Sequence, residues 1–348
     1  MGYAPEERTK PAIPATTDRS MNLTAPLVSI ITPAYNGETY LRECIDSVLA
    51  QTYHNWDYTI VNNCSTDRTL EIAQEYAARD SRIRIHNNET FVRAIPNHNI
   101  AFRQISPESK YCKVVAADDW LLPECIERMV ALAEKHPSVA IVGAYGHDGQ
   151  KVLWVGLPYP STVVPGREVC RSWLLGRGSY VFGNATSVLF RSDIVRSRHA
   201  LYNESNLHAD TELCLELLEH HDFGFVHQVL TYMRVQSGSL TSHSKKFQTY
   251  LANNLYQATK YGPIYLSNEE TEHAIRHYLR VYYRYLGSQV FERRDGEFWK
   301  FHRRRMAEIG YPMSIRRVAT AAIARALDLL LNPKRLVEGA VRRWRMPR

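Results

Sequence analysis

Apolar and polar positions follow two rhythms in the first half of the chain. Val28–Thr32 is an unbroken β-branched run closed by Pro33, and Tyr58–Val61, Arg82–His86, Tyr111–Ala117 and Val139–Val142 are further short runs of strand type. Between them the period lengthens. Leu41, Ile45, Val48 and Leu49 recur at helical spacing, Ser65-Thr66-Asp67 caps a helix through Tyr76, Ile95–Ile105 reads as helical, and Pro123 suits the first turn of a helix to Lys135. Strand alternating with helix predicts an α/β domain with a mostly parallel sheet covered on both faces. After Gly143 the pattern loosens into a Gly-, Pro- and aromatic-rich stretch, with strands expected at Ser187–Phe190 and Val229–Val235 and a helix at Asp210–His220. Beyond Lys245 the chain turns helical and aromatic-basic, with Tyr278, Tyr282, Tyr283 and Tyr285 close together. No internal repeat is visible.

Three strand ends carry chemistry. The run Val114–Ala117 stops abruptly at Asp118-Asp119, two adjacent carboxylates expected at the rim of the sheet, where open α/β sheets bind ligands. Such a pair repels itself unless a cation or donors compensate. Oxygen ligands suit Mg²⁺ or Mn²⁺ shared with substrate phosphates, while a plain helix cap is the simpler alternative. Tyr35, just past Pro33, is placed to stack on a flat ring or to be an ordinary loop aromatic. Asn63 can read a base edge, whereas Ser65 and Asp67 suit capping. Asp210 reads as an N-cap before Thr211-Glu212-Leu213.

Composition narrows the classes. The six cysteines are scattered without a Cys-x-x-Cys pair, which argues for reduced thiols and against a zinc ribbon. The net charge of +7 resides in one place: Ile315–Arg348 carries nine basic residues against Asp328 and Glu338, so residues 1–314 sum to zero and the body has no nucleic-acid-binding charge. No uncharged apolar run is long enough to span a bilayer. A dehydrogenase fingerprint of spaced glycines is absent, and residues 27–40 offer only Gly37 toward the phosphate loop of a sugar-1-phosphate nucleotidyltransferase.

Taken in order, Pro33-Ala34-Tyr35-Asn36, Ile45-Asp46-Ser47-Val48-Leu49-Ala50-Gln51-Thr52-Tyr53, Asn62-Asn63-Cys64-Ser65-Thr66-Asp67 and Ala117-Asp118-Asp119 resemble the family 2 glycosyltransferases with the GT-A fold. The similarity extends more weakly through Gly183–Arg191, Leu230–Gln236 and Ser239-Leu240-Thr241. The resemblance implies that Pro33, Tyr35 and Asn63 line a nucleobase pocket, with Asn97 matching a further donor-side position. Asp118 and Asp119 would hold the ribose and a divalent cation (Mn²⁺ or Mg²⁺), Asp119 above all as the metal ligand. Asp210 would be the catalytic base, with Glu212 as fallback and His208 as third candidate, and Arg234 would lie near the diphosphate or the closing loop. The chain departs from the family at Asn62-Asn63-Cys64 for Asp-Asp-Gly, at Ala209 for Glu, at Gln236 for His, and in the glycine-poor loop Asn87–Asn97.

The implied organisation is a polar leader over 1–25, a GT-A catalytic domain over 26–245 with donor half 26–143 and acceptor half 144–245, a helical extension over 246–313 and a basic amphipathic tail over 314–348. The implied activity is inverting transfer from a nucleotide-sugar donor to a saccharide or lipid-linked saccharide acceptor. A catalytically silent sugar-nucleotide-binding module is the alternative. In the tail, Ile315, Val318, Ala319, Ala322, Ile323, Ala326, Leu327 and Leu330 share helical spacing, and Leu336, Val337, Ala340, Val341 and Trp344 begin a second apolar face after Asn332-Pro333. This pattern suits an anionic membrane interface and a peripheral place on the inner face of the cell membrane. Packing on the catalytic domain is the competing expectation.

Overall fold

The structure, a computed structural model, describes residues 25–154, 156–177, 181–234, 244, 246–292 and 294–332. The expected leader, the motif residues 235–243 and the second tail helix with Trp344 lie outside these residues. Strands β1 (Val28–Ala34), β2 (Trp56–Asn62) and β3 (Ile83–Asn87) alternate with helices α1 (Leu41–Leu49), α2 (Thr69–Ala77) and α3 (Ala94–Phe102). Then follow β4 (Tyr111–Val114), β5 (Trp120–Leu121), α4 (Cys125–Lys135), β6 (Val139–His147), β7 (Val152–Leu153), β8 (Val163–Val164) and α5 (Gly166–Leu174). A 3₁₀ turn (Ala185–Ser187) leads into β9 (Val188–Arg191), α6 (Ser192–Arg196), α7 (Ala209–Leu217) and β10 (Asp222–Tyr232).

The sheet runs β3-β2-β1-β4-β9-β6-β10-β5, with β7 on β6 and β8 on β10. β1, β2, β3 and β4 are mutually parallel, β9 runs antiparallel between β4 and β6, and β10 returns parallel to β6. The mixed, mostly parallel α/β sheet flanked by helices is therefore as expected. Apolar cores cover both faces. Ile31, Val114 and Phe190 pack on one side with α3, α5 and α7, and Ile30, Tyr58 and Val115 on the other with α1 and α4.

Several boundaries differ from expectation: β1 runs through Pro33 to Ala34 and β6 runs on past Val142 to His147, and those of β4 and β10 bear on the site. β4 ends at Val114, because after Val115 donates to Ile31 O the chain tightens into a turn closed by Asp119 N donating to Ala116 O at 2.9 Å. β10 begins at Asp222, well before Val229, since register shifts around Val226–Thr231 let a polar His227-Gln228 step stay in the strand.

Among the described residues the helices α8 (Thr249–Tyr265), α9 (Asn268–Gln289), α10 (Gly296–Glu308) and α11 (Ile315–Leu331) follow. Each of the last three starts at a side-chain cap. Ser267 and Glu270 form a reciprocal box, Asp295 accepts from Phe298 N, and Ser314 accepts from Arg317 N. Tyr261 and Tyr265 of α8 join the core of the sheet, while Leu255, Tyr282, Leu286, Phe298 and Val318 build a separate core among the helices. Gly287 on α9 is required by packing, for a Cβ there would lie 2.6 Å from Ala321 on α11.

Candidate active site

The C-terminal ends of β1, β2 and β4 form one rim, and the loops there are laced together. Asn36, at φ 49°, accepts from Thr66 N through its side chain and donates its own N–H to Ser65. Gly37 N donates to the Thr69 hydroxyl, and Asp67 accepts from both Glu38 N and Thr69 N. Asp67 is thus the capping group it was expected to be. Cys64, where the resembled family carries glycine, adopts φ 55°.

Tyr35 is 49% exposed and lies 4.8 Å, ring to ring, from Phe91, itself 56% exposed. Two unsheltered aromatic faces beside a strand end are a platform for a flat ring. Phe91 was not anticipated, because the loop Asn87–Asn97 has no periodicity to announce it.

Asn63, expected to read a base edge, is turned into the protein. It is 2% exposed; its amide donates to Val92 O at 2.7 Å, and its oxygen accepts from Asn88 Nδ2 and Val92 N. Asn88 donates also to Asn97, which is buried as well. Asn63, Asn88 and Asn97 form a clamp that fixes the Phe91 loop, with most of their polar capacity consumed inside the protein. Pro33 lies within β1, paired in register with Val61.

The adjacent carboxylates separate in role. Neither caps α4, which begins at Cys125 beyond the β5 strand. Asp119 is 5% exposed; it accepts from the Thr186 hydroxyl at 2.7 Å and from Arg234 N at 3.0 Å. Burial, and then the charge of Asp118, push its carboxyl up to about 7, against the pull of Thr186, Arg234 N–H and Asn184. Each of its oxygens thus already accepts one hydrogen bond from the protein. Asp118 is the more exposed of the two. Thr186 is in turn held by Ala116 N and by Lys113, a fully buried cation on β4 that donates to Thr186 O and Val188 O. Gly183, at φ 68°, brings the chain into this turn, where a Cβ would strike Ser187 Oγ.

Arg234 reaches this rim but not as a spare cation. Its Nε donates to Asp118 O, Glu43 pairs with it at 2.5 Å, and its guanidinium lies over Tyr40 at 3.9 Å. Its charge is met in part by Glu43, whose side chain is 52% exposed.

Asp210 lies in the first turn of α7, behind an N-cap at His208 that makes no side-chain cap bond. α7 feeds β10, which is parallel to β6, so the start of α7 lies at the same sheet edge as the end of β4. The 202–206 loop before it is tied to α3 through Asn99, which donates to Tyr202 O. Asp210 accepts from Thr211 N at 2.7 Å, and burial pushes its carboxyl up to about 6.

The other two base candidates point elsewhere. Glu212 accepts from Asn203, Asn206, Tyr256, Lys260 and Tyr261 and is buried against α8. His208 bonds Thr249 at 2.9 Å and is pushed down to about 4 by burial. Both lock α8 onto the sheet.

Among the described residues no three His, Cys, Asp or Glu side chains gather as a ready-made metal cluster. Of the six cysteines, all are free thiols and only Cys64 is not buried.

The sequence and the fold both have counterparts among known proteins. EpsE of Bacillus subtilis (strain 168), a protein named as a glycosyltransferase, is 33% identical over 162 residues, covering 44% of this chain and 57% of EpsE. The chain thus spans little more than half of that relative. The crystal structure of Staphylococcus aureus TarS 1–349 in complex with UDP-GlcNAc matches with a TM-score of 0.60 at 17% identity, over 92% of this chain and 93% of that one. The mannosyltransferase PcManGT from Pyrobaculum calidifontis, in complex with GDP-Man and Mn²⁺, matches with a TM-score of 0.51 at 14% identity, over 89% and 88%. The profile of Glycosyl transferase family 2 matches residues 29–181. The four motifs thus stand in order along the rim of a GT-A sheet, within the segment that matches the model of Glycosyl transferase family 2.

Proposed function

We propose that this chain transfers a sugar from a nucleoside-diphosphate sugar to a hydroxyl acceptor, with inversion, in the assembly of a cell-surface polysaccharide or lipid-linked saccharide. The observation that carries the reading is the shared sheet edge of Asp118 and Asp210, with the exposed Tyr35–Phe91 pair on the same rim. The complexes of TarS with UDP-GlcNAc and PcManGT with GDP-Man support a nucleotide-sugar donor.

In this reading Tyr35 and Phe91 receive the nucleobase, and the Asn63 clamp holds Phe91 in place. Asp118 faces the diphosphate and, with oxygens of the substrate and water, would hold Mn²⁺ or Mg²⁺. One protein carboxylate plus phosphate oxygens is a donor set that fits a hard cation. When bound, such an ion supplies charge neutralisation to the leaving diphosphate. Asp119, anchored by Thr186 and Arg234 N–H, keeps the turn in shape. Asp210 takes the proton of the acceptor hydroxyl as it attacks the anomeric carbon from the face opposite the diphosphate. Its raised affinity for a proton brings it nearer the useful range for a general base. The protein acts from the inner face of the membrane, held there through residues 314–348.

The test is Asp210→Asn, followed by release of nucleotide from a donor in the presence of acceptor or water. Turnover should fall by about 10²–10⁴ with donor affinity unchanged. Near-normal turnover would remove Asp210 from the chemistry.

A further inference from the structure

Away from the catalytic rim, α9 and α11 enclose a groove of about 1640 Å³. Six arginines line it: Arg276, Arg280 and Arg284 from successive turns of α9, and Arg316, Arg317 and Arg325 from α11. Two of them are answered, Arg276 by Glu272 at 3.0 Å and Arg325 by Asp328 at 2.9 Å. Arg317 lies 5.6 Å over the Tyr283 ring. Arg280, Arg284 and Arg316 are exposed and have no ion-pair partner among the described residues. Three guanidinium groups without ion-pair partners on one groove concentrate positive charge there, and a guanidinium group matches phosphate oxygens in geometry as well as charge.

The flank of the groove is apolar and open. Ile323, Leu327, Leu330 and Leu331 form an exposed stripe on α11, while only Val318 and Ala322 of that helix are buried. The segment that follows, 333–348, is itself strongly basic and mismatched in charge as an occupant. A phosphate-bearing polymer would satisfy the arginines and leave the stripe in water. A phospholipid satisfies both.

We propose that the α9–α11 groove binds the phosphate headgroup of an anionic membrane lipid, with the Ile323–Leu331 stripe entering the acyl region beside it. This inference rests on the peripheral-membrane part of the function proposed above, and it adds a defined site that includes residues outside 314–348.

The experiment compares full-length wild type with Arg280→Ala/Arg284→Ala and with a control that removes equal charge elsewhere, Arg103→Ala/Lys135→Ala. Binding is measured to vesicles of phosphatidylglycerol in phosphatidylcholine, to pure phosphatidylcholine vesicles and to soluble polyphosphate. Melting temperature and nucleotide binding confirm folding. The expected result is binding to the phosphatidylglycerol vesicles alone, weakened about tenfold or more in the α9 variant and unchanged in the control. Equal loss in both variants would reduce the groove to diffuse charge. An α9 variant that binds as wild type does would overturn the groove while leaving the tail reading standing. A wild type that binds no vesicle would end both. Tight polyphosphate binding, lost in the α9 variant and without vesicle binding, would assign the groove to a phosphate polymer and overturn the lipid.

Discussion

Asp210 combines burial with a place at the ligand edge, and each property has a measurable consequence. Its carboxyl holds a proton up to about pH 6 when folded, against 3.8 for the unperturbed group. Between these values the folded state binds more protons than the unfolded state, so stability falls as pH rises from about 4 to 6 and stays reduced above. Asp210→Asn removes the penalty while its side-chain oxygen can still accept from Thr211 N. The variant should gain about 1–2 kcal/mol near pH 7.5 and nothing at pH 4, by denaturant titration. A variant less stable at both pH values would mean that the carboxylate is structurally required. Wild-type turnover should climb through about pH 6 and level off, since only the ionised base takes the acceptor proton.

At the scale of elements, the locks around the site explain what the sequence could and could not reveal. The rim motifs were legible because each is local: a β-branched strand, a turn residue and a polar side chain follow one another in a few positions. Asp118 and Tyr35 were marked out that way, whereas Asp210 read locally as an N-cap and drew its proposed role from the family resemblance. The roles of their neighbours were not legible, because they depend on partners far along the chain. Asp119 is held by Thr186, Arg234 is answered by Glu43 and Tyr40, and Asn63 is spent on Asn88 and Val92. The two-residue strands β5, β7 and β8 are too short for any periodicity. Asn63→Ala should therefore loosen the Phe91 loop, costing about 1–3 kcal/mol for the unmade buried bonds and weakening nucleotide binding through a mobile Phe91. Unchanged proteolysis at residues 88–92 together with unchanged binding would contradict the clamp. Glu212→Gln should lower stability by about 1–3 kcal/mol, with Lys260 partly hydrated, and leave the pH profile of turnover in place. A profile that shifted would return Glu212 to the base role.

At the scale of the whole molecule, the helical region is both cover and surface. The tail helix was expected either to lie on a membrane or to pack on the protein. In the structure α11 seats Val318 and Ala322 against the helical core and Ala321 against Gly287, yet leaves Ile315 and most of its apolar face open. Deleting residues 314–348 should therefore lower the melting temperature by a few degrees and also abolish binding to anionic vesicles. Loss of stability with vesicle binding retained would place the membrane contact elsewhere. No helix among the described residues is long and apolar enough to cross a bilayer.

The central claim, that the β4 rim binds a nucleoside-diphosphate sugar beside Asp118, is tested most directly by calorimetric titration of the full chain. UDP- and GDP-sugars are added with and without Mn²⁺, to wild type and to Asp118→Asn. The account predicts that at least one donor binds wild type with an affinity that Mn²⁺ strengthens, and that the variant loses this strengthening while melting as wild type does. A wild type that binds no donor under either condition, or a variant that keeps the full Mn²⁺ effect, would contradict it.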